Sequence, residues 1–80
     1  MDRNYADAHY RTSRVDDSQD GFSAVELYRT RRSEGKNVRV ARVVYWDACG
    51  DFFFETFNAD IPVRLAEDLI GEAKTTIKIR

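Results

Sequence analysis

The run from Val40 to Phe57, VARVVYWDACGDFFFETF, constrains the fold more than any other feature of this chain. It holds two β-rich segments around one tight turn, with apolar side chains at both odd and even positions. Successive side chains of a strand point to opposite faces, so a sheet with one wet face should alternate apolar and polar residues. This run does not alternate. Both faces of the predicted sheet therefore need a cover, and the chain has room for only a single helix.

The size of the chain favours self-association. Its 80 residues form one small domain, and domains of this size bury only about 60 to 65 per cent of their unfolded surface. The single cysteine, Cys49, excludes an internal disulfide and cannot alone form a structural zinc site. Oligomerisation is the remaining way to supplement a small core, so we expect a homodimer.

The expected location of the protein in the cell follows from the absence of a membrane span and of a signal peptide in this sequence. The apolar stretches are too short to span a membrane, and the first residues have no apolar core of the kind that a signal peptide needs. We therefore expect a cytoplasmic protein that does not engage a membrane.

The pattern along the chain predicts a tail followed by one small α+β domain. Residues 1–21 are polar and show no strand or helix periodicity, which predicts a flexible N-terminal tail. Within 22–80, the predicted elements are a three-stranded antiparallel meander and one C-terminal helix. Residues 76–80 are predicted to form a short final strand or the fraying end of the helix. The predicted bounds are 22–32, 37–46 and 51–58 for the strands and 61–74 for the helix.

The helix is predicted from its start signal and its periodicity. Asp60 is placed as the N-cap, and Pro62 is tolerated in a first turn, where its missing amide would be unpaired anyway. The apolar residues recur at spacings of three and four, so they form one stripe that can cover one face of the sheet. The stripe consists of Val63, Ala66, Leu69, Ile70, Ala73 and Ile77.

Two turns, taken as three residues each, fix the register of the predicted strands. They place Val25 opposite Val43 and Trp46 opposite Phe52. The same register puts Tyr28 opposite Val40, Val44 opposite Phe54, and Glu26 opposite Arg42. One face then carries Val25, Leu27, Ala41, Val43, Tyr45, Phe53 and Phe57. The other carries Ala24, Tyr28, Val38, Val40, Val44, Trp46, Phe52 and Phe54. A slip of one residue in either loop would exchange these sets.

Our first functional hypothesis is a non-enzymatic protein-interaction module that self-associates through the sheet face that the helix leaves bare. An aromatic patch of this kind is costly to leave in water, and a twofold interface would be self-complementary. Another cover for this face is the tail, folded back with Tyr5 and Tyr10. The expected interface residues are Tyr28, Val40, Val44, Trp46, Phe52 and Phe54.

The second hypothesis is single-stranded nucleic-acid binding by the basic first hairpin. Basic groups that pair with phosphates beside rings that stack on bases are typical of such sites. Against it, residues 47–72 hold seven acids and Arg64 as the one base, a net charge of −6, which would repel phosphate. The basic residues are Arg29, Arg31, Arg32, Lys36, Arg39 and Arg42.

The order of the predicted elements is similar in outline to the Whirly and PUR single-strand-binding modules. Those modules place one strand more before the helix than the three predicted here. The resemblance concerns architecture alone, so no residue role follows from it.

No set of residues in the sequence predicts catalysis. His9 lies in the polar tail, Cys49 lies at a turn tip with no histidine nearby, and Asp47 and Asp51 flank a turn that forms no pocket. Phosphate-binding, dinucleotide-binding and zinc motifs such as GxxxxGK[ST], GxGxxG, HExxH and paired CxxC do not occur. We expect neither an enzyme nor a metal or cofactor site.

Overall fold

A computed structural model describes residues 1–77 as a five-stranded antiparallel sheet with one helix packed on one face. The strands pair in chain order, so β1 and β5 are the two edges. Residues 78–80 lie outside the described residues, and most of the predicted final strand falls there. The elements are β1 (Asp2–Tyr5), β2 (Ala8–Asp17), β3 (Phe22–Arg31), β4 (Asn37–Trp46), β5 (Asp51–Thr56) and α1 (Val63–Thr76).

The α+β class is confirmed, but the predicted count of three strands is too low. Both additional strands, β1 and β2, come from the segment interpreted as a flexible tail. β2 pairs with β3 along its whole length, and its Ala8 and Tyr10 are buried in the core. Backbone pairing with β3 therefore orders a segment that has few apolar side chains to bury. Tyr10 lies in the core against the helix and Tyr5 is exposed, so neither covers the bare face.

The helix covers one face by packing against β3 and β4. Its buried residues are spaced by four: Leu65, Leu69, Ala73 and, just beyond its end, Ile77. The predicted stripe is therefore wrong at its beginning, because Val63 is 73% exposed and Leu65 takes the buried position.

The start of the helix also differs from the prediction. Pro62 is the N-cap in place of Asp60, and no side chain caps the first turn. The carbonyl oxygen of Pro62 accepts the amides of Leu65 and Ala66 at 2.9 and 3.0 Å.

The β3–β4 register is as predicted at one end and shifted at the other. Val25 pairs with Val43. A β-bulge follows Leu27, so that Tyr28 pairs with Arg39 and not with Val40. The extra residue lets two consecutive side chains of β4 enter the core, where Val40 and Ala41 are both fully buried.

The β4–β5 register is one residue from the predicted one. Trp46 pairs with Asp51 and not with Phe52. The turn spans four residues because the amides of Cys49 and Gly50 both donate to the carbonyl oxygen of Trp46, at 3.2 and 2.8 Å. Gly50 has a φ of +66°, a conformation that side chains disfavour. This slip exchanges the faces of every β5 side chain.

Candidate functional site: the open sheet face

The sheet face opposite the helix is the candidate site, and we call it the open face. Residues directly opposite each other on neighbouring antiparallel strands share a face, so the pairing assigns each side chain. The open face of β3, β4 and β5 carries Phe22, Ala24, Glu26, Tyr28, Arg39, Arg42, Val44, Trp46, Asp51, Phe53 and Glu55.

One end of the open face is apolar. The rings of Phe22 and Trp46 meet across the β3–β4 ladder, with centroids 5.1 Å apart and planes tilted by 51°. Ala24 and Val44 form the next pair and are fully buried although no helix lies over them. The larger side chains around them must therefore shield them. Phe53, opposite Val44, is 44% exposed and extends this patch to β5.

The middle of the open face is charged. Glu26 is only 7% exposed. Its Oε2 accepts a hydrogen bond from Nη1 of Arg39 at 2.6 Å, and its Oε1 accepts one from the hydroxyl of Tyr28 at 3.0 Å. The hydrogen bond to Glu26, with smaller contributions from burial and the carboxylate charge, raises the pKa of Tyr28.

Arg42 belongs to a second ion pair beside the first. It lies opposite Glu26, as predicted, but its Nη2 donates to Oε1 of Glu55 at 3.1 Å. Its guanidinium carbon lies 5.7 Å from the centroid of the Phe22 ring. Its Nε is buried and has no hydrogen-bond partner among the described residues. The middle of the open face thus carries two acids and two bases, and one donor that lacks an acceptor.

The residues predicted for the interface do not all share a face. Tyr28, Val44 and Trp46 lie on the open face. Val40 is buried in the core beneath the helix. Phe52 lies on the helix side opposite Tyr45, and Phe54 lies on the same side opposite Val43.

Sequence reasoning missed two open-face aromatics, Phe22 and Phe53. The sequence pattern places Phe53 on the opposite face because it predicts a three-residue turn where the structure has four residues. Phe22 continues the alternation of Ala24, Glu26 and Tyr28, so the sequence pattern contained that signal.

The predicted basic residues do not form one surface. Arg29 and Arg31 line a cavity of about 360 Å³ on the helix side, next to Tyr10. Arg39 and Arg42 lie on the open face, and each is bonded to a glutamate. The remaining two lie in the exposed turn between β3 and β4: Arg32 and Lys36.

The residues considered for catalysis stay separate from one another. The ring nitrogens of His9 lie 2.8 Å from Oδ1 of Asn4 and 2.6 Å from Oδ1 of Asp2, in an exposed cross-strand contact. Cys49 is exposed in the β4–β5 turn. Across residues 1–77, no three or more His, Cys, Asp or Glu side chains are grouped so as to hold a metal ion. The single helix in that range is not of the length and apolarity that crossing a membrane requires.

No family model, curated protein or solved structure matches this chain.

Proposed function

We propose that this chain is a non-enzymatic interaction module that forms a homodimer through its open face. The observation that carries the proposal is the aromatic patch of Phe22, Trp46 and Phe53 on a face that the helix does not cover. Phe53 is 44% exposed, and burial of such a ring in an interface is favourable by about 25 cal/mol for each Å² of apolar surface removed from water. A second sheet packed on the first is a common way to bury such a face.

A second copy of the chain suits this face electrostatically. In a twofold interface the same surface meets itself, so a face of one charge sign would repel its partner. The middle of the open face is neutral, because Glu26 and Glu55 balance Arg39 and Arg42.

The same geometry gives less support to single-stranded nucleic acid as the partner. A phosphate backbone needs unpaired cations along one surface. Arg39 and Arg42 are already paired with glutamates, and Arg29 and Arg31 lie on the other side of the sheet.

The chain offers a closely matched pair of variants for the test. Phe53 and Phe54 are neighbours on β5, are both 44% exposed and lie on opposite faces. We expect Phe53→Ser to weaken the dimer by about tenfold or more and Phe54→Ser to leave it unchanged. Sedimentation velocity over a concentration series measures the dissociation constant, and thermal melting checks that both variants fold.

Three results would contradict the proposal. One is a wild-type chain that sediments as a monomer at about 100 μM. The second is equal weakening of the dimer by Phe53→Ser and Phe54→Ser. The third is salt-sensitive binding of a mixed-sequence oligonucleotide that Phe53→Ser abolishes, which would favour nucleic acid as the partner.

A further inference from the structure

We propose that the free edge of β5, together with the groove beside it, binds an extended peptide that carries basic residues on both sides of an apolar centre. The backbone edge is distinct from the open face, although three side chains of the peptide would lie beside Asp51, Phe53 and Glu55 on that face. The peptide would pair with β5 as a sixth strand, so that main-chain hydrogen bonds supply affinity and alternating side chains supply specificity.

The hydrogen-bond pattern shows that the outer edge of β5 is available for pairing. The amide of Phe57 donates to the carbonyl oxygen of Val40 at 3.0 Å, which fixes the alternation of the β4–β5 ladder. The alternation turns the backbone groups of Phe52, Phe54 and Thr56 away from β4. The amide of Phe52 already donates to Oδ1 of Asp51 at 2.8 Å. Within residues 1–77, the outward amides of Phe54 and Thr56 therefore remain for a sixth strand.

A groove follows this edge on the helix side of the sheet. It has a volume of about 530 Å³, and its lining residues are Val43, Phe52 and Phe54 of the helix side of the sheet, Ile70 and Lys74 of α1, and Asp51 and Phe53 at the edge of β5. Every second side chain of an added strand would point into this groove. The lining favours apolar side chains at these positions.

The two edges of the sheet differ in a way that points to β5. β1 has only four residues, DRNY, all of them exposed, and such short polar edges discourage strand pairing. β5 has six residues, DFFFET, with three consecutive phenylalanines and neither lysine nor proline. Natural edge strands of this length and composition usually pair or are covered.

In the register centred on Phe53, charge argues against a second copy of β5 as the added strand. Twofold antiparallel pairing of β5 with itself, centred on Phe53, would place Asp51 directly opposite Glu55 of the other copy, twice on the same face. Like charges in that position are destabilising. A partner with basic residues at those two positions would instead form two cross-strand ion pairs.

This complementarity defines the peptide used as a probe. A capped peptide with the core Lys-Val-Val-Val-Lys places its lysines opposite Glu55 and Asp51 and its central valine opposite Phe53. Its other two valines point into the groove. We expect binding that is saturable below about 1 mM and that slows amide exchange at Phe54 and Thr56.

Two peptide controls separate strand pairing from general attraction. Replacement of both lysines by glutamates should weaken binding by about tenfold, because two favourable ion pairs become two repulsive ones. N-methylation of the valine amides that face β5 should abolish binding, because it removes donors and adds bulk at the edge.

The protein variant Thr56→Pro tests the edge itself. It removes an outward amide and leaves the donors to β4 in place, which is where proline is tolerated in a sheet. We expect lost peptide binding with an unchanged melting temperature and an unchanged dimer. The inference is overturned if the lysine peptide does not bind at about 1 mM, if the glutamate peptide binds equally well, or if Thr56→Pro binds like wild type while folded. A dimer that persists in Thr56→Pro shows that dimerisation does not use the β5 edge, so loss of peptide binding in this variant is not caused by loss of the dimer.

Discussion

At the scale of single residues, Glu26 shows how a carboxylate is held in the middle of a sheet face. A buried charge is costly unless it is paired and hydrogen-bonded. Arg39 pairs with one oxygen of Glu26, and the hydroxyl of Tyr28 donates to the other. The three residues come from both sides of the bulge in the β3–β4 ladder. The carboxylate therefore joins the two strands where their regular pairing is interrupted.

The hydrogen bond from Tyr28 to Glu26 predicts an alkaline dependence of stability. Neutral tyrosine donates this bond and the tyrosinate anion cannot, so folding raises the pKa of Tyr28 above its ordinary value of 10.0. The contribution of the bond is complete below the ordinary pKa and is lost as the pH rises through the raised one. We expect the free energy of unfolding of Tyr28→Phe to fall less than that of wild type above pH 10.0.

Denaturant unfolding of both proteins at neutral and alkaline pH measures this difference. The two proteins differ only at position 28, so the comparison isolates Tyr28. Equal losses of stability in wild type and variant would show that the hydrogen bond does not contribute.

At the scale of elements, the helix is held by a narrow stripe and not by its capping. No side chain caps its first turn, and its buried residues follow one another at intervals of four. Most of the stability of a short helix comes from packing of its apolar face. Leu65 and Leu69 are fully buried, and this contact against β3 and β4 closes the core.

The buried stripe of the helix predicts that substitutions at Val63 and Leu69 differ in their effect on stability. We expect Leu69→Ala to lower the free energy of unfolding by about 2 to 5 kcal/mol, because it leaves a cavity in the core. Val63→Ala should change it by less than about 0.5 kcal/mol, since Val63 is 73% exposed. Urea unfolding monitored by circular dichroism gives both values. A larger loss in Val63→Ala than in Leu69→Ala would contradict the position of the stripe.

The sequence predicted the elements that carry their own pattern. β3, β4 and β5 are rich in β-branched and aromatic residues, and α1 has three-and-four spacing, so these elements were found to within a few residues. β1 and β2 were missed because their order comes from pairing with β3, which a local pattern does not show. The faces of β5 were exchanged because one residue in the turn before Asp51 decides them.

At the scale of the whole molecule, the meander gives the sheet a protected centre and two exposed edges. β3 pairs with β2 on one side and with β4 on the other, and the helix packs over it. β1 pairs only with β2. The Arg3–Asp68 ion pair and the hydrogen bond from the Met1 amino group to Glu72, at 2.7 Å, also connect the β1 end to the helix.

This arrangement predicts a gradient of amide exchange across the sheet. We expect the amides of Val25 and Leu27 to exchange slowest, because they lie on the central strand and open only with the core. The amides of β1 should exchange faster by at least about 100-fold, since an edge strand can open locally. Hydrogen exchange followed by NMR measures these rates. Equal protection of β1 and β3 would contradict the expected gradient.

The bulge after Leu27 makes the two halves of β4 independent of each other. At one end, the pairing of Val25 with Val43 places both side chains in the core. At the other end, the single extra residue shifts the alternation of the β4 side chains by one position. Arg39 therefore points to the open face and reaches Glu26. Loss of one residue in the loop before β4 would be absorbed by removing the bulge, which keeps the pairing of Val25 with Val43 but turns Val40 from the core to the open face, opposite Tyr28. Such a deletion would also separate the only cation bonded to Glu26 among residues 1–77 from its carboxylate, so the length of this loop decides which β4 side chains reach the open face.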